Sequence, residues 1–277
     1  MTKKLDLGNA WNDAVALLQA NKQVVLIVAG VFFFLPNAIA GLAIPEPTEL
    51  EAMTASGAQP DFEAVTAVMQ AYYAANWPWF LILSLVQAIG VLGLLALLTD
   101  RTRPTVGEAL AFGAKGVLPY LLAQFIAALL MALLLGALVA LGALVNVGVA
   151  VLLGLIGLVV AVYLAVKFSL ISPVIGIERI LNPVRVLQRS WSLTKGNSLR
   201  LFGFYALLIL VLVVLTLLAG MVFSIFAIMG EEIGLFATAI GGGLVSMATS
   251  MVMLGVLAAV HHQLSSGSNE AVGETFK

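Results

Sequence analysis

Residues 116–166 contain no Asp, Glu, Lys, Arg or His, and this uncharged stretch constrains the fold more than any other feature of the chain. As one continuous helix it would extend about 75 Å, at a rise of about 1.5 Å per residue. The hydrocarbon core of a bilayer is about 30 Å thick, so the stretch must cross it twice. The whole chain is 62% hydrophobic and 10% charged. A soluble globular enzyme is therefore excluded, because soluble domains carry about 25% charged residues.

Six uncharged runs are each long enough to span a bilayer, which predicts an all-α membrane protein with six transmembrane helices. The third and fourth runs are separated only by a tight turn near Asn146. We expect the six helices to form three hairpins within a single membrane domain, residues 1–264. The predicted spans are approximately 23–44, 77–99, 117–144, 147–171, 201–229 and 235–260.

The positions of Lys and Arg predict the orientation of the chain. Apart from Lys167 and the last residue, they occur only before the first span, in residues 101–115 and in residues 179–200. The loops on the opposite side, including the sizeable loop 45–76, contain Asp and Glu but no basic residue. By the positive-inside rule, both termini should lie in the cytoplasm and loop 45–76 in the periplasm of a bacterial inner membrane. The polar tail 265–277 should be disordered.

Spans one, three and five are each preceded by a short segment with helix start and stop signals. The start signals are Asp6, the pair Thr105 and Glu108, and Asn182 followed by Pro183; the stop signals are Asn21-Lys22, Lys115-Gly116 and Lys195-Gly196. Such segments suit helices that lie in the membrane interface. We therefore expect three repeats of interfacial helix, span and span, at approximately 5–99, 105–171 and 182–260, with an axis along the membrane normal.

One region carries a resemblance to a known family. The motif RSWSLTKGN, Arg189 to Asn197, preceded by Lys167 and Pro173, resembles the signature region of the glycerophosphoryl diester phosphodiesterase membrane-domain family, which is similar to the YciC-like bacterial inner-membrane proteins. The opening segment agrees through Ala10, Trp11, Leu17, Leu18 and Asn21. The resemblance implies a six-helix inner-membrane module. The soluble phosphodiesterase domain of some relatives has no counterpart in these residues, so the family name implies no activity.

The sequence lacks the residue patterns that catalysis would need. The chain contains no cysteine, and its two histidines, His261 and His262, are adjacent and point about 100° apart on a helix. No metal-binding or phosphate-binding motif occurs, so we predict no enzyme activity, no catalytic residue, no metal and no cofactor. The net charge of −1 predicts no binding to nucleic acid.

Lys167 is the ionisable residue that falls inside a predicted span. It either extends past Ser169 and Ser172 to the headgroups or contacts an anionic lipid or substrate, with Tyr163 one turn away. The candidate lipid or anion contacts are Lys167, Arg185, Arg189, Lys195 and Arg200. The candidate polar residues of a cavity are Tyr163, Gln87 and Gln124.

Two functions remain open from the sequence. The first is a non-catalytic inner-membrane protein that engages membrane phospholipids, anionic ones above all, or organises a membrane complex with a protein partner. The alternative is a small permease or a membrane subunit of an exporter that uses a cavity between the hairpins. A transporter should show a continuous polar path that joins Gln87, Gln124 and Lys167.

Overall fold

All regular secondary structure in the described part of the chain is helical. The structure is a computed structural model that describes residues 4–44, 47, 49–50, 53, 61–99 and 104–275. Its helices are α1 Leu7–Ala20, α2 Lys22–Ala29, a π-helical segment Gly30–Phe34, α3 Leu35–Ala43, α4 Phe62–Thr99, α5 Val106–Ala143, α6 Val147–Phe168, α7 Ile171–Gly176, α8 Pro183–Thr194, α9 Ser198–Ser224, a 3-10 segment Ile225–Met229 and α10 Glu231–Thr275.

Six helical segments among the described residues are long and apolar enough to cross a membrane, which confirms a multi-pass helical membrane protein. They are Lys22–Ala43, Phe62–Leu98, Val106–Ala143, Val147–Gly176, Ser198–Met229 and Glu231–Ser266. The three-hairpin arrangement and the interfacial position of the short helices stay predictions.

The chain divides into two compact units. The first contains Met1–Ala29, Ala88–Val214 and Thr249–Lys277, and its hydrophobic core includes Leu170, Ile175, Val186, Leu201 and Val256. In this unit α5 and α6 pack along each other, and α8 contacts α5, α6 and α7. The second unit contains Gly30–Gln87 and Leu215–Ala248, with the rings of Tyr72, Tyr73 and Phe80 in mutual contact.

The predicted helix starts are confirmed by their capping hydrogen bonds. Asp6 accepts from the backbone N–H of Asn9, and Asn182 accepts from that of Arg185. Thr105 and Glu108 form the reciprocal capping box. The turn at Asn146 is also found, because its side chain accepts from the Val149 N–H and starts α6. These signals succeed because a cap involves only residues within one helical turn.

The stop predicted at Lys115-Gly116 is wrong, since α5 runs through it as one helix from Val106 to Ala143. The glycines of this region serve close packing instead. A Cβ at Gly113 would lie 2.7 Å from the carbonyl oxygen of Ile89, and one at Gly116 would lie 2.7 Å from a Leu92 methyl carbon. Glycine therefore remains in the helix because a neighbouring helix approaches too closely for a side chain.

Two segments that the sequence leaves outside the spans continue into helices. In the outer loop, the spacing of Phe62, Val65, Met69 and Tyr72 predicts a helix that enters span two. Residues 62–76 do form the first turns of α4, which passes through Pro78 without ending. The last helix, α10, extends to Thr275, and the disorder expected of the tail 265–277 stays a prediction. At the start of that tail, the hydroxyls of Ser265 and Ser266 donate to the His262 carbonyl, which gives these polar residues partners within the helix.

Reporter fusions are expected to place residue Ala58 in the periplasm and the end of the chain in the cytoplasm. Ala58 lies outside the described residues but falls between spans one and two. Alkaline phosphatase should be active when fused after Ala58 and inactive after Lys277, while a cytoplasmic reporter should show the reverse. An active cytoplasmic reporter at Ala58 would overturn the orientation taken from the positive-inside rule.

Candidate functional site

The motif RSWSLTKGN forms the second half of α8 and the turn that follows it, in the first unit. Asn182 caps the helix, and Pro183 occupies its first turn. The face formed by Val186, Leu187, Ser190, Leu193 and Thr194 is buried. These positions recur every three or four residues, so one side of α8 packs inward. At the other end, Gly196 has φ 83°, a conformation that suits glycine and turns the chain into α9.

Two hydroxyls of α8 satisfy the end of α6. The fully buried Ser190 donates its hydroxyl proton to the carbonyl oxygen of Lys167 at 2.7 Å and accepts from the Leu170 N–H at 3.3 Å. Thr194, also fully buried, donates to the Ser190 carbonyl at 3.0 Å within α8, and its hydroxyl lies 3.5 Å from the Lys167 carbonyl oxygen. The last carbonyls of a helix lack partners within it, so these bonds hold the end of α6 against α8. The Lys167 backbone is thereby fixed.

The Lys167 side chain lies beneath two aromatic rings, and we name Tyr163, Lys167 and Trp191 the aromatic box. Lys167 is only 3% exposed, whereas Tyr163 and Trp191 are 45% and 39% exposed. The Lys167 Nζ lies 5.4 Å from the Tyr163 ring centroid and 5.2 Å from that of Trp191. The two rings meet edge to face, with centroids 6.1 Å apart. The two distances from Nζ to the ring centroids are within the range of cation–π attraction.

The ammonium of Lys167 lacks a protein acceptor. An ammonium carries three N–H donors. In the residues that the structure describes, no protein oxygen accepts a hydrogen bond from the Lys167 Nζ, and the two rings are its close partners. No fully buried polar side-chain atom lacks a partner among these residues, so the tip of Lys167 keeps some access to its surroundings. Ring faces offer electrostatic attraction but no oxygen lone pair. The aromatic box therefore holds a positive charge whose N–H donors can still bind an anion.

A second cluster, which we name the carboxylate clamp, joins Glu178, Arg189 and His261. Arg189 binds the Glu178 carboxylate with two nitrogens, Nε to Oε2 at 2.8 Å and Nη2 to Oε1 at 2.9 Å. The His261 Nε2 lies 3.0 Å from Glu178 Oε1, and His261 is buried. Burial alone would raise the pKa of Glu178. The hydrogen bonds from His261 and Arg189, with their charges, outweigh it and lower that pKa to about 2.

The clamp changes the interpretation of Arg189. The sequence pattern proposed it as a lipid contact, but its guanidinium is engaged by Glu178 and ties α8 to the chain just after α7. Since His261 belongs to α10, the same carboxylate also connects the last span to this region. We therefore assign Arg189 to the architecture of the site.

The N-terminal segment is bound to the turn that follows α8. Leu5, 2% exposed, donates its N–H to the Asn197 Oδ1 at 2.9 Å, and its carbonyl accepts from the Arg200 Nη1 at 3.1 Å. Asn197 is itself 3% exposed. Arg200, another predicted lipid contact, therefore uses one of its guanidinium N–H groups to bind the Leu5 carbonyl.

The remaining predicted residues are placed as follows. Arg185 and Lys195 are exposed at the two ends of α8. Gln124 donates to the Tyr120 hydroxyl at 3.2 Å, one turn earlier in α5. Gln87 is half-buried and belongs to the second unit. Of the predicted set, the structure brings together Lys167 and Tyr163, with Trp191 as the third member of the box.

Sequence reasoning missed the roles of Glu178 and His261. One signal was available, because Glu178 is the only carboxylate between Glu108 and Glu231. A single acidic residue within a basic loop indicates a specific partner.

Comparisons with known proteins add no relative to this description. No protein-family model matches the chain, and neither a curated protein nor a solved structure matches it significantly. The chemistry of the aromatic box and its surroundings is therefore the basis for a function.

Proposed function

We propose that this membrane protein binds an anionic phospholipid at the cytoplasmic leaflet of a bacterial inner membrane, without catalysing a reaction. The observation that carries the proposal is the nearly complete burial of Lys167 beneath Tyr163 and Trp191, without an acceptor among the described residues. A lipid phosphate would supply the oxygens that the ammonium lacks. The resemblance to the phosphodiesterase membrane-domain family is compatible with such a non-catalytic membrane module.

The energetics of a buried charge favour an anionic ligand. Removing an ion from water costs several kcal/mol, even after the protein relaxes. Cation–π attraction returns about 0.5–2 kcal/mol for each ring. A charge-assisted hydrogen bond to a phosphate oxygen is about twice as strong as a neutral one. Two rings alone leave the burial of Lys167 only partly compensated, and a phosphate in contact with Nζ would offset the remainder.

The charges around the box support an anion rather than a cation as ligand. Arg185 and Lys195 are exposed on α8, and Arg200 follows at the start of α9. Each exposed basic residue near a membrane surface attracts anionic lipid by about 1 kcal/mol. Arg189 adds little to this attraction, because Glu178 neutralises it. The permease alternative gains no comparable support, since Gln124 bonds within its own helix.

Replacing Lys167 with Met should reduce binding of phosphatidylglycerol about tenfold or more. The variant loses at least one hydrogen bond to a charged group, which contributes about 1.5–3 kcal/mol. Phosphatidylcholine binding should change little. Native mass spectrometry of the purified protein, titrated with each lipid, measures the preference. The folded bundle should persist, because the substitution removes a buried charge and keeps an apolar stem.

Two variants serve as controls for this experiment. Lys167→Arg keeps the charge beneath the rings and should retain most of the preference. Lys115→Met removes an exposed charge from α5. Any effect of Lys115→Met on phosphatidylglycerol binding should disappear in high salt, which screens exposed charges more than buried ones. Equal phosphatidylglycerol binding and equal thermal stability in wild type and Lys167→Met would refute the proposal and show that Lys167 only extends toward the headgroups.

A further inference from the structure

Three consecutive residues of α8 contact three different groups. Arg189 binds the Glu178 carboxylate. Ser190 donates to the Lys167 carbonyl, and Trp191 packs against the Lys167 ammonium. Successive residues of an α-helix point about 100° apart, so the side chains of Arg189 and Trp191 leave α8 on either side of the buried Ser190. The carboxylate clamp therefore holds one edge of this helix, and the aromatic box lies at the other edge.

The clamp also connects α8 to the last span. His261 lies in α10 and is 3% exposed, and its Nε2 lies 3.0 Å from the Glu178 Oε1. Arg189 reaches the same carboxylate with two nitrogens, so the direction of its guanidinium is fixed as well as its distance. A rotation of α8 about its axis would separate this guanidinium from a carboxylate that α10 also holds.

The contact between Trp191 and Lys167 tolerates little movement. The Lys167 Nζ lies 5.2 Å from the ring centroid, and cation–π attraction extends to about 6 Å. A rotation of α8 by about 10° would move a ring that lies about 6 Å from the helix axis by about 1 Å. Movement away from Nζ by this amount would exceed the limit and uncover Lys167, which is 3% exposed. The rotation of α8 about its axis therefore decides whether the aromatic box is complete.

We propose that the carboxylate clamp positions Trp191 over Lys167 and thereby sets the affinity of the aromatic box for an anionic lipid phosphate. This role, which rests on the lipid binding proposed for Lys167, makes Glu178 and His261 positioning residues that act through Trp191. An ammonium shielded from water attracts a phosphate more strongly than a hydrated one, because the effective dielectric constant around it is lower. A box that is complete before the lipid arrives also loses less freedom on binding.

Glu178→Gln distinguishes this role from direct lipid contact by Arg189. If the clamp positions Trp191, the substitution should weaken phosphatidylglycerol binding about fivefold, the effect of one lost cation–π contact. If Arg189 were a lipid contact masked by Glu178, release of its charge should strengthen binding. Asp13→Asn changes the net charge equally at an exposed position of α1 and should alter binding by less than about twofold. Native mass spectrometry of folded protein, titrated with the lipid, measures the affinities.

His261 provides a second test that leaves the pair of Arg189 and Glu178 in place. His261→Leu should weaken phosphatidylglycerol binding about two- to threefold, the effect of one modest hydrogen bond, since Glu178 then loses its contact with α10. His261→Gln should retain most of the affinity, because its amide N–H can still donate to the carboxylate. Equal affinities of wild type and His261→Leu would count against the proposal.

A double-substitution cycle tests whether the clamp acts through Trp191. Trp191→Leu should weaken binding at least as much as Glu178→Gln, and the two changes together should weaken it no further than Trp191→Leu alone. Independent effects of the two changes, or unchanged or stronger binding in Glu178→Gln, would overturn the proposal. Lys167→Met distinguishes the two failures: if it binds less lipid than wild type, only the positioning role fails, and if it binds equally, the proposed function itself fails.

Discussion

Replacing Glu178 with Gln should lower the free energy of unfolding by about 2–3 kcal/mol, somewhat less than the 3–5 kcal/mol lost when a fully buried ion pair is broken. The carboxylate accepts from both Arg189 and His261, and its side chain is 18% exposed. The amide introduced by Glu178→Gln would be neutral and would keep only one acceptor oxygen. Its NH₂ group would face the N–H donors of Arg189 and His261. Reversible unfolding in mixed micelles, followed by far-ultraviolet circular dichroism, measures the loss.

The same substitution should change how stability depends on pH. The pKa of Glu178 is about 2 in the folded protein, against an ordinary value of 4.5. Between these values the unfolded chain binds more protons at this site, so stability rises with pH. The contribution of Glu178 should be fully present above pH 4.5 and lost as the pH falls toward 2. The difference in unfolding free energy between wild type and Glu178→Gln should therefore shrink across this interval.

Asp13→Asn provides a matched control for the clamp. Asp13 is an exposed carboxylate of α1 whose contact with Gln263 is long, at 3.4 Å. Its replacement should cost less than about 0.5 kcal/mol, as for most surface substitutions. If Glu178→Gln were as mild as Asp13→Asn, the carboxylate clamp would not stabilise the fold.

Replacing Gly142 with Ala should destabilise the turn between α5 and α6 by about 3 kcal/mol, the upper part of the range for overpacked positions. A Cβ at Gly142 would lie 2.5 Å from the Ala150 Cα and 2.8 Å from the Val149 carbonyl oxygen. These are backbone atoms, which cannot rotate aside as a side chain does. The two helices would have to separate at the turn, and thermal unfolding in micelles should report a lower midpoint.

Gly136 supplies the comparison within the same helix. A Cβ there would meet no atom within 4 Å. Gly136→Ala should leave stability unchanged or raise it by up to about 1 kcal/mol, because alanine favours a helix more than glycine does. Similar effects of the two substitutions would show that the close approach at Gly142 does not hold the α5–α6 pair together.

The elements that sequence predicted best are those determined by local interactions or by overall hydrophobicity. The six spans follow from uncharged runs, and the caps at Asp6, Thr105 and Asn182 follow from contacts within one turn. The stop expected at Gly116 failed because a glycine signals either a helix end or a close helix contact. Only the neighbouring helix, here through Leu92, decides between the two.

The residues of the candidate site also fall into those that the sequence predicts and those that it does not. Lys167 stands out in the sequence as a charge within a span, and Tyr163 lies one turn away on the same helix. The histidine of the carboxylate clamp does not stand out, because His261 lies 83 residues after Glu178. Long-range polar contacts depend on how the helices pack, so the lone carboxylate Glu178 indicates that a partner exists but not that His261 is one.

Direct observation of the Lys167 Nζ in a phosphatidylglycerol nanodisc tests the central claim most directly. A structure of the protein in that bilayer should show a lipid phosphate oxygen about 2.7–2.9 Å from Nζ, the usual length of a charge-assisted hydrogen bond. Tyr163 and Trp191 should remain in contact with the ammonium. An Nζ that points to bulk water or is satisfied by a protein oxygen, with no lipid phosphate in contact, would contradict the account.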